Sequence, residues 1–188
     1  MSVPVNYGTL TEVQMQQDEL LYMENVIKNE LPKDGLMVEW GSGGSTIHWL
    51  KTMTSSQSLI SIEHNVEWYK KVDHNLNENF NDLNVNFNYY LMRELYGFEH
   101  GYASLIEEHP TGLDNYMLPD KNILDADVFF IDGIGRAAVS LMVLGLSKKE
   151  NPAIFIHDYV GREPWYDWAT KLYPKKEVVG TTLLRLWK

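Results

Sequence analysis

Two groups of residues have the types and spacing to do chemistry. The first is Glu39-Trp40-Gly41-Ser42-Gly43-Gly44-Ser45-Thr46, which follows an apolar run and opens a helix-compatible stretch. Glycines placed this way make a tight turn and let a ligand approach the backbone. A nucleoside triphosphate loop requires a Lys ahead of its Ser or Thr, and Gly44 stands there before Ser45. A dinucleotide fingerprint wants Gly or Ala where Thr46 stands, which weakens that reading without removing it. Glu39 discriminates further, because a carboxylate two residues before Gly41 opposes a pyrophosphate but suits a ligand bearing an ammonium and a sulfonium. S-adenosylmethionine is such a ligand. Glu63, which closes the run Leu59–Glu63, is placed to accept both ribose hydroxyls of an adenosine. NAD sites use the same device, so Glu63 supports an adenosine-containing ligand and leaves the choice between the two open.

The second group is Asp132, His157 and Asp158, at the ends of apolar runs read as strands. Open α/β sheets bind their ligands at the carboxyl ends of strands. Two chemistries fit: a divalent cation held by Asp132 and Asp158 that lowers the pKa of an acceptor hydroxyl, or His157 as general base beside an orienting Asp. His157 as a strand cap with Asp158 opening a turn is the reading without chemistry. Arg136, after Asp132-Gly133-Ile134-Gly135, either pairs with Asp132 or receives an anionic substrate group. His48, His74, His100 and His109 show no metal-ligand spacing and are given no role.

The elements that must position these groups alternate. Short apolar runs at Leu36–Trp40, Leu59–Glu63, Val85–Tyr89, Val128–Asp132 and Ala153–His157 are separated by helix-compatible stretches at Thr46–Met53, Glu67–Asn79 and Arg136–Leu146. That alternation is the signature of a parallel sheet with crossover helices. An N-terminal helix is expected from Thr11, capped by Thr11 and Gln14, to near Pro32. Residues 91–126 are rich in turn formers and are expected to be irregular, and Trp165–Tyr173 to form a helix ahead of a hairpin of Glu177–Val179 and Leu183–Trp187.

With 188 residues and 44% hydrophobic content the chain suits one domain, residues 1–188, of which 1–35 form an N-terminal helical extension. Sixteen Lys+Arg against 26 Asp+Glu give a formal charge of −10, which removes the broad basic surface that duplex binding needs. The absence of cysteine excludes disulfides, thiolate metal sites and a Cys nucleophile. No basic leader with an apolar core and no membrane-length apolar run is present, so a soluble, cytoplasmic protein is expected, without nucleic-acid or membrane partners. A homo-oligomer is left open.

Taken together these motifs resemble the class I S-adenosylmethionine-dependent methyltransferases, over roughly Leu36 to Trp187. Glu39–Thr46 resembles that superfamily's first motif, Ile62-Glu63-His64-Asn65 its second-strand acid, Asp127–Gly133 its fourth-strand motif and Ile154–Asp158 its fifth. More narrowly, Glu-x-Gly-Ser-Gly-Gly-Ser-Thr with Ser-Ile-Glu-His and Ile-Asp-Gly-x-x-Arg is similar to a group of small, poorly characterised methyltransferase-like domains. The resemblance implies a Rossmann-like three-layer α/β sandwich: a seven-stranded, mostly parallel sheet whose last strand is antiparallel. It implies a methyl donor bound by Glu39, Gly41, Ser42, Gly43, Gly44, Ser45, Thr46, Glu63, His64 and Asp132, with Glu63 on the ribose and His64 beside the adenosine. It also implies transfer to a small-molecule acceptor, at oxygen, with His157, Asp158, Asp132 and Arg136 as the catalytic candidates. Tyr159, Arg162, Trp165, Tyr166 and Trp168 fall where this fold builds its acceptor pocket, and their rings and polar tips suit a sugar or aromatic alcohol. The metal-dependent small-molecule O-methyltransferases carry Asp-Asn or Asp-Asp where this chain has His157-Asp158, a departure that puts a metal in question. A nicotinamide-dependent oxidoreductase and a non-catalytic module that keeps the fold are the alternatives.

Overall fold

The computed structural model describes residues 10, 13–79, 85–92 and 113–188. In chain order the elements are α1 (Gln17–Asn29), β1 (Leu36–Trp40), α2 (Gly44–Thr52), β2 (Ser58–Glu63), α3 (Val66–Asn79), β3 (Asn86–Leu91) and α4 (Leu113–Met117). After a 3-10 turn at Lys121–Asp125 come β4 (Val128–Ile131), α5 (Arg136–Leu146), β5 (Ala153–Ile156), α6 (Glu163–Thr170), β6 (Lys175–Val179) and β7 (Leu183–Trp187).

The strands form one sheet in the order β3-β2-β1-β4-β5-β7-β6. Pairing is parallel from β3 through β5, while β7 runs antiparallel to both β5 and β6. The expected sheet is therefore present. Its central strands are buried on both faces, so successive residues feed opposite cores. Val128 and Phe130 of β4 join the side covered by Met23, Val26 and Ile27 of α1. Phe129 and Ile131 join the side covered by Val139 and Val143 of α5. This explains why the strands read as unbroken apolar runs.

The differences from the sequence reading lie at element ends. α1 starts at Gln17, where the Gln16 N–H donates to Glu19 Oε2 at 3.3 Å; the expected cap, Thr11, lies outside the described residues. Within α1, Glu19 is fully buried and its Oε1 accepts from Thr182 Oγ1 at 3.0 Å and Leu183 N at 2.9 Å. β3 is displaced towards the C-terminus of the expected Val85–Tyr89, and α2 begins at Gly44 instead of Thr46. Within 91–126, the described residues hold the end of β3, α4, the 3-10 turn and the approach to β4. No helix among the described residues is long and apolar enough to cross a membrane.

Candidate functional site

The sheet order reverses between β1 and β4, and the turns after β1, β2 and β4 converge above that point. Gly41 adopts φ +91°, and a Cβ there would stand 2.6 Å from Gly133 N, so this glycine is demanded by a backbone contact between the β1 and β4 turns. Beside it Glu63, only 3% exposed, fastens the β1 turn to the β2 turn. Its Oε2 accepts from the backbone N and from Oγ of Ser42, both at 3.1 Å, and its Oε1 from His64 N at 2.8 Å and Asn65 N at 2.7 Å. Ser42 is held from its other side by the Tyr89 hydroxyl at 2.6 Å, and its carbonyl accepts from Trp68 Nε1 at 2.6 Å. The structure thus brings Gly41, Ser42, Gly43, Glu63, His64 and Asp132 around one crevice.

Glu39 is turned the other way. Its carboxylate is fully buried and saturated by the protein: Ser45 Oγ (2.6 Å) and Trp49 Nε1 (3.1 Å) donate to Oε1, and Thr46 Oγ1 (2.6 Å) and Ser61 Oγ (2.9 Å) to Oε2. Glu39, expected to face the charged end of a ligand, and the Ser45 and Thr46 hydroxyls, expected to meet the ligand's carboxylate, are engaged with one another in this structure. Those hydroxyls instead tie the start of α2 to β1, and Gly43 N donates to Thr46 Oγ1 at 2.9 Å. Alternation along β1 gives the reason, since Glu39 falls between Val38 and Trp40, which both point into the opposite core.

Burial pushes the Glu39 carboxyl up to about 7, against hydrogen bonds from Ser45, Thr46 and Ser61 that favour its ionised form. A group whose pKa rises on folding binds its proton more tightly when folded, so its contribution to stability is complete below about 4.5 and is lost as the pH climbs through 7. The chain is therefore expected to resist urea better at pH 5.5 than at pH 8. Glu39→Gln should flatten that difference by ~2 kcal/mol. The amide suits the site, because the Thr46 and Ser61 hydroxyls can turn to accept from it while its oxygen serves Ser45 and Trp49. Equal pH slopes in the two proteins would refute this placement of the charge.

The second group closes into a network. His157, 4% exposed, has Nδ1 at 3.0 Å from Asp132 Oδ1 and Nε2 at 3.5 Å from Glu19 Oε2. Burial works against its charge, but the hydrogen bond and charge of Asp132, with Asp158 beyond, hold its pKa above the ordinary value. With a carboxylate at each nitrogen, the imidazole is engaged by the protein's own side chains. His157 thereby ties together three elements: β4, β5 and α1. The sequence gives no sign of Glu19, whose position in α1 reads only as a residue of the first turn.

Arg136, at the start of α5, reaches back under the same turns. Its Nη2 lies 2.9 Å from Asp132 Oδ1 and donates to the Asp132 carbonyl at 2.8 Å, while Nε donates to the Gly133 carbonyl at 3.0 Å. Nη1 donates to the His157 carbonyl and stands 3.4 Å from Asp158 Oδ2. Of the two readings for Arg136, the structure carries the ion pair with Asp132. It also bears on a metal. Asp132, His157 and Asp158 offer ligand atoms within 4.8 Å of one another. However, the Arg136 guanidinium already pairs with both carboxylates, and the imidazole Nδ1 is hydrogen-bonded to Asp132. The set does not fit a divalent cation.

Asp158 is the exception in this network. It has φ +55°, an unusual value for a non-glycine residue, and its side chain is 36% exposed. Its cationic partners stand off, Arg136 at 3.4 Å and Arg162 at 3.5 Å. The aromatic stretch after β5 divides: Tyr159 and Tyr166 are buried in the core, while Trp165 and Trp168 are exposed. His48 and His74 pair with Glu24 (2.9 Å) and Glu78 (3.1 Å); His100 and His109 lie outside the described residues.

No protein-family model matches the chain, and no curated protein sequence does. Solved structures do. A methyltransferase-like protein from Silicibacter pomeroyi is similar with a TM-score of 0.70 at 17% identity, over 94% of this chain and 87% of that one. A precorrin-6y C5,15-methyltransferase from Geobacter metallireducens is similar with a TM-score of 0.61 at 14% identity, over 98% and 95%. An O-methyltransferase from Bacillus cereus in complex with SAH is similar with a TM-score of 0.58 at 15% identity, over 93% and 83%. At these identities the likeness is one of fold, and the fold is that of the class I methyltransferases.

Proposed function

We propose that this chain binds S-adenosylmethionine and transfers its methyl group to an oxygen of a small-molecule acceptor, of the sugar or aromatic-alcohol class. The observation that carries the reading is Glu63, a carboxylate at the tip of β2 hydrogen-bonded across to the glycine turn of β1. A ribose bound there would take the place of the Ser42 hydroxyl, the one of Glu63's four protein donors that can turn away, beside a backbone that a ligand can approach. The chain's residues fit such a ligand: the buried Tyr116 hydroxyl has no acceptor for its proton, His64 Nδ1 lies 3.0 Å from Glu63 Oε1 without a hydrogen bond, and a Cβ on Gly43 would meet the Trp68 ring at 3.5 Å. The nicotinamide reading is disfavoured by β7, antiparallel between β5 and β6, which the parallel dinucleotide-binding order does not contain. The charge of −10 favours a small acceptor over a nucleic acid.

When bound, the donor supplies a methyl group made electrophilic by its sulfonium. The chain's own task is to align that methyl with the acceptor oxygen and to take up the proton the oxygen releases. Asp158 is the group assigned to that proton, because it is the more exposed of the network's carboxylates. Asp132, His157 and Arg136 hold the β4 and β5 turns in place around it, with no metal required.

The test is transfer of a labelled methyl group to a panel of phenols, catechols and sugars in the presence of EDTA. Transfer is expected to persist in EDTA, and Asp158→Asn to lower kcat ~100-fold while leaving donor affinity unchanged. Dependence on added Mg²⁺, or full activity of Asp158→Asn, would contradict this assignment.

A further inference from the structure

The crevice above the β1–β4 switch is where an open α/β sheet takes its ligand, and in this structure a side chain of the protein lies in it. Tyr116 of α4 is wholly buried. Its hydroxyl is so close to the β4 turn that a Cβ on Gly133 would stand 1.9 Å from it; the same Cβ would stand 3.0 Å from Gly41 N. The ring meets the edge of His64, with centroids 5.9 Å apart. The phenol therefore runs from the β2 turn, across Gly41, to the β4 turn. That is the space which the preceding section gives to the methyl donor.

Tyr116 is poorly matched to this place as a permanent wall. The backbone N–H of Ile134 is turned towards the phenol oxygen, but the hydroxyl proton has no acceptor. His64 Nδ1 beside it also makes no hydrogen bond, although it lies 3.0 Å from Glu63 Oε1. Buried polar groups are normally satisfied, and two orphans at one crevice mark an arrangement that a ligand can improve. The carrier of the ring is a single short turn, whose carbonyl at Tyr116 accepts from Trp40 Nε1 at 3.1 Å.

We propose that Tyr116 is an intrinsic occupant of the cofactor crevice, a gate that an adenosyl ligand must displace in order to bind. The proposal rests on the reading of this crevice as a methyl-donor site. A ligand that binds only the open state has its apparent affinity reduced by the fraction of molecules that are open. Removing the ring raises that fraction. Removing only the hydroxyl leaves the ring in the crevice and takes away both an unsatisfied proton and the acceptor of the Ile134 N–H, so closure is little changed. Only the loss of the ring should therefore tighten binding, which a hydroxyl that contacts the ligand would not produce.

The experiment is calorimetric titration of S-adenosylhomocysteine into the full chain and its Tyr116→Ala and Tyr116→Phe variants. The expected Kd is ~5–10-fold lower for Tyr116→Ala and within ~2-fold of the wild type for Tyr116→Phe. Weaker binding by both variants would overturn the gate and leave the donor reading standing. Absence of binding by all three would overturn the donor reading and the gate with it. Because Tyr116→Ala empties a fully buried site at a cost in stability, hydrogen exchange in the wild-type chain supplies a second readout. Saturating S-adenosylhomocysteine is expected to speed exchange at amides 115–118 while slowing it at 41–46; slowing at both would overturn the gate.

Discussion

Replacing Glu63 with Ala is expected to weaken S-adenosylmethionine binding by ~30–150-fold, the equivalent of 2–3 kcal/mol. Two losses combine. The carboxylate that would accept the ribose hydroxyls disappears, and the backbone N–H groups of Ser42, His64 and Asn65 lose their common acceptor. The β1 and β2 turns are then no longer tied together. Glu63→Gln should fall between, because its amide nitrogen cannot accept from Ser42 or from the two backbone amides. Glu39→Gln is the informative companion. It alters an acid of the same motif, yet its carboxylate is enclosed by Ser45, Thr46, Trp49 and Ser61, so donor affinity should change less than ~3-fold. Calorimetry on the three variants decides the matter, and equal losses at positions 39 and 63 would show that both acids face the ligand.

Arg136→Ala is expected to produce the largest loss of stability. The guanidinium, 10% exposed, is the cation between Asp132 and Asp158, and three carbonyls in the β4 and β5 turns accept from it. Removing one partner of a buried ionic network costs ~3–5 kcal/mol, which for a chain of this length lowers Tm by ~10 °C or more. The same change leaves Asp132 and Asp158 without their shared cation, two carboxylates to which Mn²⁺ can bind. Thermal melts should therefore show no effect of Mn²⁺ or EDTA on the wild type and a rise in Tm with Mn²⁺ for Arg136→Ala. A wild-type chain destabilised by EDTA would contradict the claim that Arg136 fills the cation's role.

The fold was largely legible in the sequence because the sheet is buried on both faces. Runs such as Val128–Ile131 and Ala153–Ile156 are apolar throughout and flanked by turns, and the order of strands and helices leaves little choice of topology. Element ends were less legible, since capping at Gln16 and Gly43 depends on local geometry that residue type does not specify. For the site, the glycine turn and Glu63 were readable from position alone. The direction of a side chain was not. Glu39 has the residue type of a ligand partner, but whether it faces the crevice or α2 depends on Ser61 and Trp49, which come from other elements. Likewise Glu19 reaches His157 from far away in the chain, and Tyr116 comes from a stretch without periodicity. Contacts of that kind are made by the assembled fold.

The most direct test of the central claim is calorimetric titration of the wild-type chain with S-adenosylmethionine and, separately, with NAD, each with and without Mg²⁺. Saturable binding of S-adenosylmethionine, unchanged by Mg²⁺ and without detectable binding of NAD, is the expected result. Binding of NAD in its place, or of neither ligand, would contradict the assignment of the Gly41–Glu63 crevice to a methyl donor.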